Sequence, residues 1–113
     1  MIFDLSIVNR ARFYGSGYIA GTGDGIVTVA GAPSSRAINL FAIYKNQPLV
    51  FVKSVWSNAQ GRYIFRDLDT NFRYLVLARD YAEQYEPFAW DYVAPSTDLS
   101  PSEQYNLEQS WRI

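Results

Sequence analysis

With 113 residues, the chain has room for one domain and one core. It is 49% hydrophobic, 17% aromatic and 19% charged, the composition of a globular rather than a disordered protein. Without cysteine there are no disulfides, thiol nucleophiles or thiolate metal sites. Without histidine the commonest general base and metal ligand are missing, so the composition weighs against an enzyme.

No apolar run approaches the roughly 18 residues of a membrane span. The opening MIFDLSIVNRAR has neither a long apolar stretch nor a small-residue cleavage site, so no signal peptide is expected. The net charge of −1 gives no general case for nucleic-acid binding. The charge is unevenly divided: residues 1–66 carry seven cations against two acids, and residues 67–113 carry nine acids against three cations. A chain basic at one end and acidic at the other can pair head to tail with its neighbours, or fold back into a mixed surface.

In chain order, residues 1–24 read as an extended N-terminal arm. The stretch FYGSGYIAGTGDG has five glycines in thirteen positions, which opposes a helix. Ile26-Val-Thr-Val29 is a β-branched strand between Gly25 and Gly31, and Ala32-Pro-Ser-Ser35 is a turn. RAINLFAIY (36–44) alternates, with Ile38, Leu40 and Ala42 on one face and Ala37, Asn39, Phe41 and Ile43 on the other. LVFVKSVW (49–56) is the next strand, followed by a tight connection in which Gly61 is free to take positive φ. Arg62–Arg66 places Tyr63 and Phe65 on one face. Residues 72–79 put Phe72, Tyr74, Val76 and Ala78 in register, and FAWDYV (88–93) is a last strand closed by Pro95. Six strands at roughly 8–14-residue spacing predict an all-β sandwich over residues 25–95. Beyond it, residues 96–113 form a tail. Ser100-Pro-Ser-Glu103 has capping-box order and predicts a short helix over about 101–110, with Tyr105, Leu107 and Trp111 as its apolar contacts, docked on its own sandwich or on a neighbour.

The stretch from Gly25 to Pro95 resembles the carboxypeptidase-regulatory-like, or transthyretin-like, β-sandwich family. The likeness is carried by Gly25-Ile-Val-Thr-Val, by Gly31-Ala-Pro and Arg36-Ala-Ile-Asn-Leu, and above all by Ser57-Asn-Ala-Gln-Gly-Arg-Tyr-Ile-Phe65 with Leu68 and Tyr74-Leu-Val. It implies an Ig-like sandwich of six to seven strands and says little about function. The chain is also similar to the version of this domain in bacteriophage virion proteins, through RAINLFAIY, WSNAQGRYIF and the block from Ala78-Arg-Asp80 through Tyr85-Glu-Pro87 to Asp91-Tyr-Val-Ala-Pro95. That resemblance implies a structural or adhesive module of a tail, collar or capsid decoration, located in the virion and made in the host cytoplasm.

The chemistry-bearing alternatives carry less. Hydrolases of the transthyretin-like kind use histidines, and an isopeptide bond needs a lysine in the opening strand; this chain offers neither. Asp67 with Asp69, and Asp80 with Glu83, are oxygen donors of the kind calcium accepts, but at the density of ordinary turn acids. Asp80 with Asp91 or Glu86 could be imagined as a glycosidase pair, with nothing to fix a separation. No cofactor is expected.

The aromatics divide in two. Tyr63, Phe65, Phe72, Tyr74 and Phe41 or Phe51 are core candidates, whereas Tyr81, Tyr85, Phe88, Trp90 and Tyr92 are interleaved with acids. The latter suit protein–protein anchoring, opposite a basic and aromatic patch at Arg10, Arg12, Phe13 and Tyr14. The expected contact residues are therefore Arg10, Arg12, Phe13, Tyr14, Tyr85, Trp90 and Trp111, meeting other virion proteins or repeated copies of this chain, with neither nucleic acid nor membrane involved. The alternative is a carbohydrate-binding or host-adhesion module that stacks sugars on Tyr81, Tyr85, Trp90 and Tyr92.

Overall fold

The computed structural model describes residues 13–21, 28–29, 32–33, 35–78 and 88–112. Among them run β1 (Tyr14–Gly21), β2 (Thr28–Val29), β3 (Ala32–Pro33), β4 (Ala37–Ile43), β5 (Val50–Trp56), β6 (Tyr63–Leu68), β7 (Arg73–Ala78), β8 (Phe88–Val93) and a C-terminal helix, α1 (Pro101–Trp111). An antiparallel sheet in the order β5-β4-β7-β8 faces an antiparallel pair, β1-β6, and β2-β3 is a separate two-residue ladder.

The alternation read in the sequence sets the core. Ile38, Leu40 and Ala42 of β4 and Tyr74, Val76 and Ala78 of β7 point inward and meet Ile19 of β1 and Tyr63, Phe65 and Leu68 of β6. Gly61 takes φ 77° in the turn before β6, and Asn46 takes φ 61° between β4 and β5, a conformation asparagine tolerates well. The chain is thus an all-β, sandwich-like protein with one short helix.

Three expectations change. The first concerns the arm: Tyr14–Gly21 pairs along β6, with Ile19 opposite Phe65 and Gly21 opposite Tyr63, so these residues belong to the sandwich. Glycine serves close approach here rather than freedom. A Cβ on Gly15 would lie 2.7 Å from Leu68 O and from Asp69 Cα, and one on Gly17 would lie 2.8 Å from Pro95 Cβ. Secondly, Thr28–Val29 of the expected opening strand pairs with Ala32–Pro33, where a turn was expected; Ile26 and Val27 lie outside the described residues.

The third change concerns the tail. Tyr18 and Ser96 exchange backbone hydrogen bonds of 3.0 and 2.8 Å, so the chain after β8 returns to β1. The helix then begins with the expected capping box: Glu103 N donates to Ser100 Oγ, and Ser100 N donates to Glu103 Oε1. It docks on its own sandwich, over β6: Gln104 is fully buried, and of the expected apolar contacts Leu107 and Trp111 are half-buried while Tyr105 is exposed.

Candidate interaction surface

The four-stranded sheet is apolar on both faces. An antiparallel sheet with one face in water places polar residues outward. Here the outward positions of the two central strands are Ala37, Asn39, Phe41 and Ile43 on β4, and Arg73, Leu75 and Leu77 on β7. On the flanking strand β5, Phe51 stands opposite Phe41, with ring centroids 5.8 Å apart in an edge-on contact, and is 45% exposed. On the other flank, β8 carries Tyr92, which is 68% exposed.

Tyr92 reaches this face because β8 is irregular. The β7–β8 register shifts between Tyr74 and Val76, and Tyr92 takes φ 56°, a left-handed conformation unusual for an aromatic residue. The shift leaves Trp90 opposite inward-facing Val76 while Tyr92 emerges outside, with the Arg73 guanidinium 6.0 Å from its ring centroid. Phe41, Phe51, Leu75 and Tyr92 therefore form an aromatic and aliphatic row across the sheet, bounded by Ile43 and Arg73 at one end and by Asn39 and Leu77 at the other.

Of the expected contact residues, Phe13, Tyr14, Trp90 and Trp111 are described, and they do not share one surface. Phe13 is only 1% exposed and packs edge-on against Phe72 and Tyr44, with centroids 5.0 and 5.8 Å apart; it is a core residue, not a contact residue. Trp90 also turns inward, its ring 6.1 Å from that of Tyr63. Tyr14 is exposed at the start of β1, and Trp111 is half-buried on the last turn of α1. Arg10, Arg12, Tyr81 and Tyr85 lie outside the described residues. Of the sugar-stacking set, Trp90 and Tyr92 are described, and they occupy opposite faces of β8.

Asp67 and Asp69 have structural partners, and Asp80, Glu83 and Glu86 lie outside the described residues. Asp67 lies 3.2 Å from Arg66, and Asp69 Oδ1 accepts the Asn71 N–H at 2.9 Å. Among the described residues no three potential metal ligands come together, and no helix is long and apolar enough to cross a membrane. Burial raises the Tyr63 and Tyr74 phenols above their ordinary range, and the Tyr74 hydroxyl donates to Asp69 O at 2.8 Å.

Sequence reasoning placed Phe41 and Ile43 opposite the buried set but assigned Phe41 or Phe51 to a core. The usable signal was that RAINLFAIY and FRYLVLAR are apolar at both parities. Comparison with family models, with curated proteins and with solved structures returns no match.

Proposed function

We propose that this chain is a non-enzymatic structural subunit of a bacteriophage particle, of the tail, collar or capsid-decoration kind, acting through protein–protein contacts. The outward row of Phe41, Phe51, Leu75 and Tyr92 carries the protein–protein part of this reading, since a contiguous apolar sheet face in a small domain marks an interaction site. The virion setting and the transthyretin-like assignment rest on the likeness of residues 25–95 to that class of domain.

The partner is a second copy of this chain, packed sheet on sheet. Phe51 and Tyr92 lie on the two opposite edge strands, β5 and β8. A two-fold axis along the strands sets the β8 of one copy over the β5 of the other, so that Tyr92 meets Phe51 twice.

Size-exclusion chromatography with light scattering tests this reading. The wild-type chain should give twice the monomer mass at high micromolar concentration, and Phe51→Glu and Tyr92→Ser should give folded monomers. A wild-type monomer throughout that range would overturn self-association. In that case, capture of a different particle protein, lost in Phe51→Glu, would reassign the face to that partner.

A further inference from the structure

Two tryptophans far apart in sequence line the same cleft. Trp56 ends β5 and is 64% exposed, and Trp111 lies on the last turn of α1. Both line a cavity of about 370 Å³ with Ser54, Tyr63, Glu108 and Arg112, and both line an adjoining one of about 700 Å³ with Ser35, Asn58, Gln60 and Arg112. These volumes fall in the range of small-molecule sites, which combine apolar walls with a few placed polar groups.

The cleft is built by long-range hydrogen bonds. Asn58 Nδ2 donates to Trp111 O at 3.3 Å, tying the end of the helix to the 57–62 turn. Asn58 Oδ1 accepts from Gln60 N at 2.9 Å and Arg62 N at 3.0 Å, which fixes the turn that presents Gln60. On the opposite wall, Glu108 is held between Arg66 Nε at 3.0 Å and Arg112 Nη2 at 3.4 Å. Arg112 is 70% exposed, and its guanidinium carries five N–H donors.

We infer that this cleft binds a neutral oligosaccharide. Indole rings offer flat apolar surfaces for the C–H faces of pyranose rings. Gln60, Arg112, Glu108 and Ser54 supply donors and acceptors for the hydroxyls that lie in the plane of the sugar. The cation nearest the opening is matched by a carboxylate, so the site is not tuned for phosphate or sulfate. The site differs from the one expected from the sequence; Ser54 and Trp56 stand opposite Asn39 and Ala37, so the cleft opens beside the β5 end of the outward face, on the far side of the sheet from Tyr92.

The test uses the full chain on an array of neutral bacterial and plant glycans, followed by titration of tryptophan emission with the best array ligand, or with cellohexaose, maltohexaose and chitohexaose. A subset of the neutral glycans should bind and shift the emission. Trp56→Ala should weaken the affinity at least tenfold, and Gln60→Ala, which leaves both indoles in place, about threefold or more. Both positions are exposed, and near-ultraviolet circular dichroism checks that each variant is folded. Tyr92→Ser, on the opposite edge strand β8, should lose self-association yet bind glycan as the wild type does, so the two readings fail distinguishably. Binding to no neutral glycan, or binding unchanged in Trp56→Ala, overturns the inference. An emission shift produced by extended peptides but by no sugar overturns it as well and makes the cleft a peptide site.

Discussion

Gln104 and Ser16, 88 positions apart, are joined by a 2.8 Å hydrogen bond that completes the β1–β6 pair. The register shifts between Tyr14 and Gly17, both of which face Leu68, so Ser16 has no place in the regular ladder. The Gln104 side chain takes up the broken rungs: Nε2 donates to Ser16 O and, at 3.0 Å, to Leu99 O, and Oε1 accepts the Asp67 N–H at 3.4 Å. Asp67 itself sits at φ 58°, so both strands are distorted where the helix covers them.

Gln104→Ala should therefore cost more than a surface helix substitution. It removes the partner of three backbone groups in part-buried hydrogen bonds, each costing up to about 1–3 kcal/mol. The expected loss is about 2 kcal/mol or more in urea denaturation. Gln104→Glu, nearly the same shape, should be no better, because it sets a carboxylate against two carbonyl oxygens. A change under about 0.5 kcal/mol, the usual range for surface substitutions, would show that the helix is not coupled to the sheet.

Phe13 separates a core role from a contact role. Buried between Tyr44 and Phe72, it should cost about 3–5 kcal/mol as Phe13→Ala. Removing residues 1–20 takes both Phe13 and most of β1, so that truncation should unfold the sandwich rather than merely release a partner. Thermal melts of Phe13→Ala and of the truncated chain decide the matter; a truncated chain with wild-type melting would return these residues to the status of an arm.

Gly15→Ala tests whether the glycine-rich segment is tightly packed. The new methyl would meet backbone atoms at 2.7 Å, which no side-chain rotation relieves. Overpacking of this kind costs about 1–3 kcal/mol. The change should lower the urea midpoint, whereas a stabilised variant, as expected for a flexible loop, would contradict the close approach.

The pH profile should bend at both ends. Burial, reinforced by the 2.6 Å hydrogen bond to Asp98 and by that carboxylate's charge, pushes the Tyr18 phenol up to about 12. The folded state thus holds this proton more tightly than the unfolded chain, whose tyrosines titrate near 10. The resulting stabilisation is complete below about pH 10 and lost as the pH rises toward about 12. Melting temperatures across that window should fall less steeply in Tyr18→Phe than in the wild type. At the acid end, the hydrogen bonds to Glu103 from the Ser100 backbone and then its hydroxyl hold that carboxyl below the usual glutamate range. Its contribution is present above that range and disappears as the pH falls through the folded value. Amide shifts of residues 102–104 should record fraying of the first turn there, and a pH-independent first turn would count against the cap.

Much of the fold was legible because it is local. Period-two alternation in 37–43 and 73–78 identified the residues that became core, Gly61 marked its turn, and Ser100 with Glu103 marked the start of the helix. These signals depend on neighbours in the chain, where side-chain direction and cap geometry are fixed within a few residues.

The remainder depended on which segments meet. Phe13, the bulged strand at 14–21 and Gln104 looked like an arm and a helix surface, because their partners across the fold lie 31 to 88 residues away. Alternation gives two faces and cannot say which one is covered when both are apolar, so Phe41 and Phe51 resembled core until the second sheet was seen to pack on the other side. The cleft between Trp56 and Trp111 has no counterpart in the sequence at all. It exists because Asn58 fastens the end of the helix to a turn 53 residues earlier, a contact that only the packed chain creates.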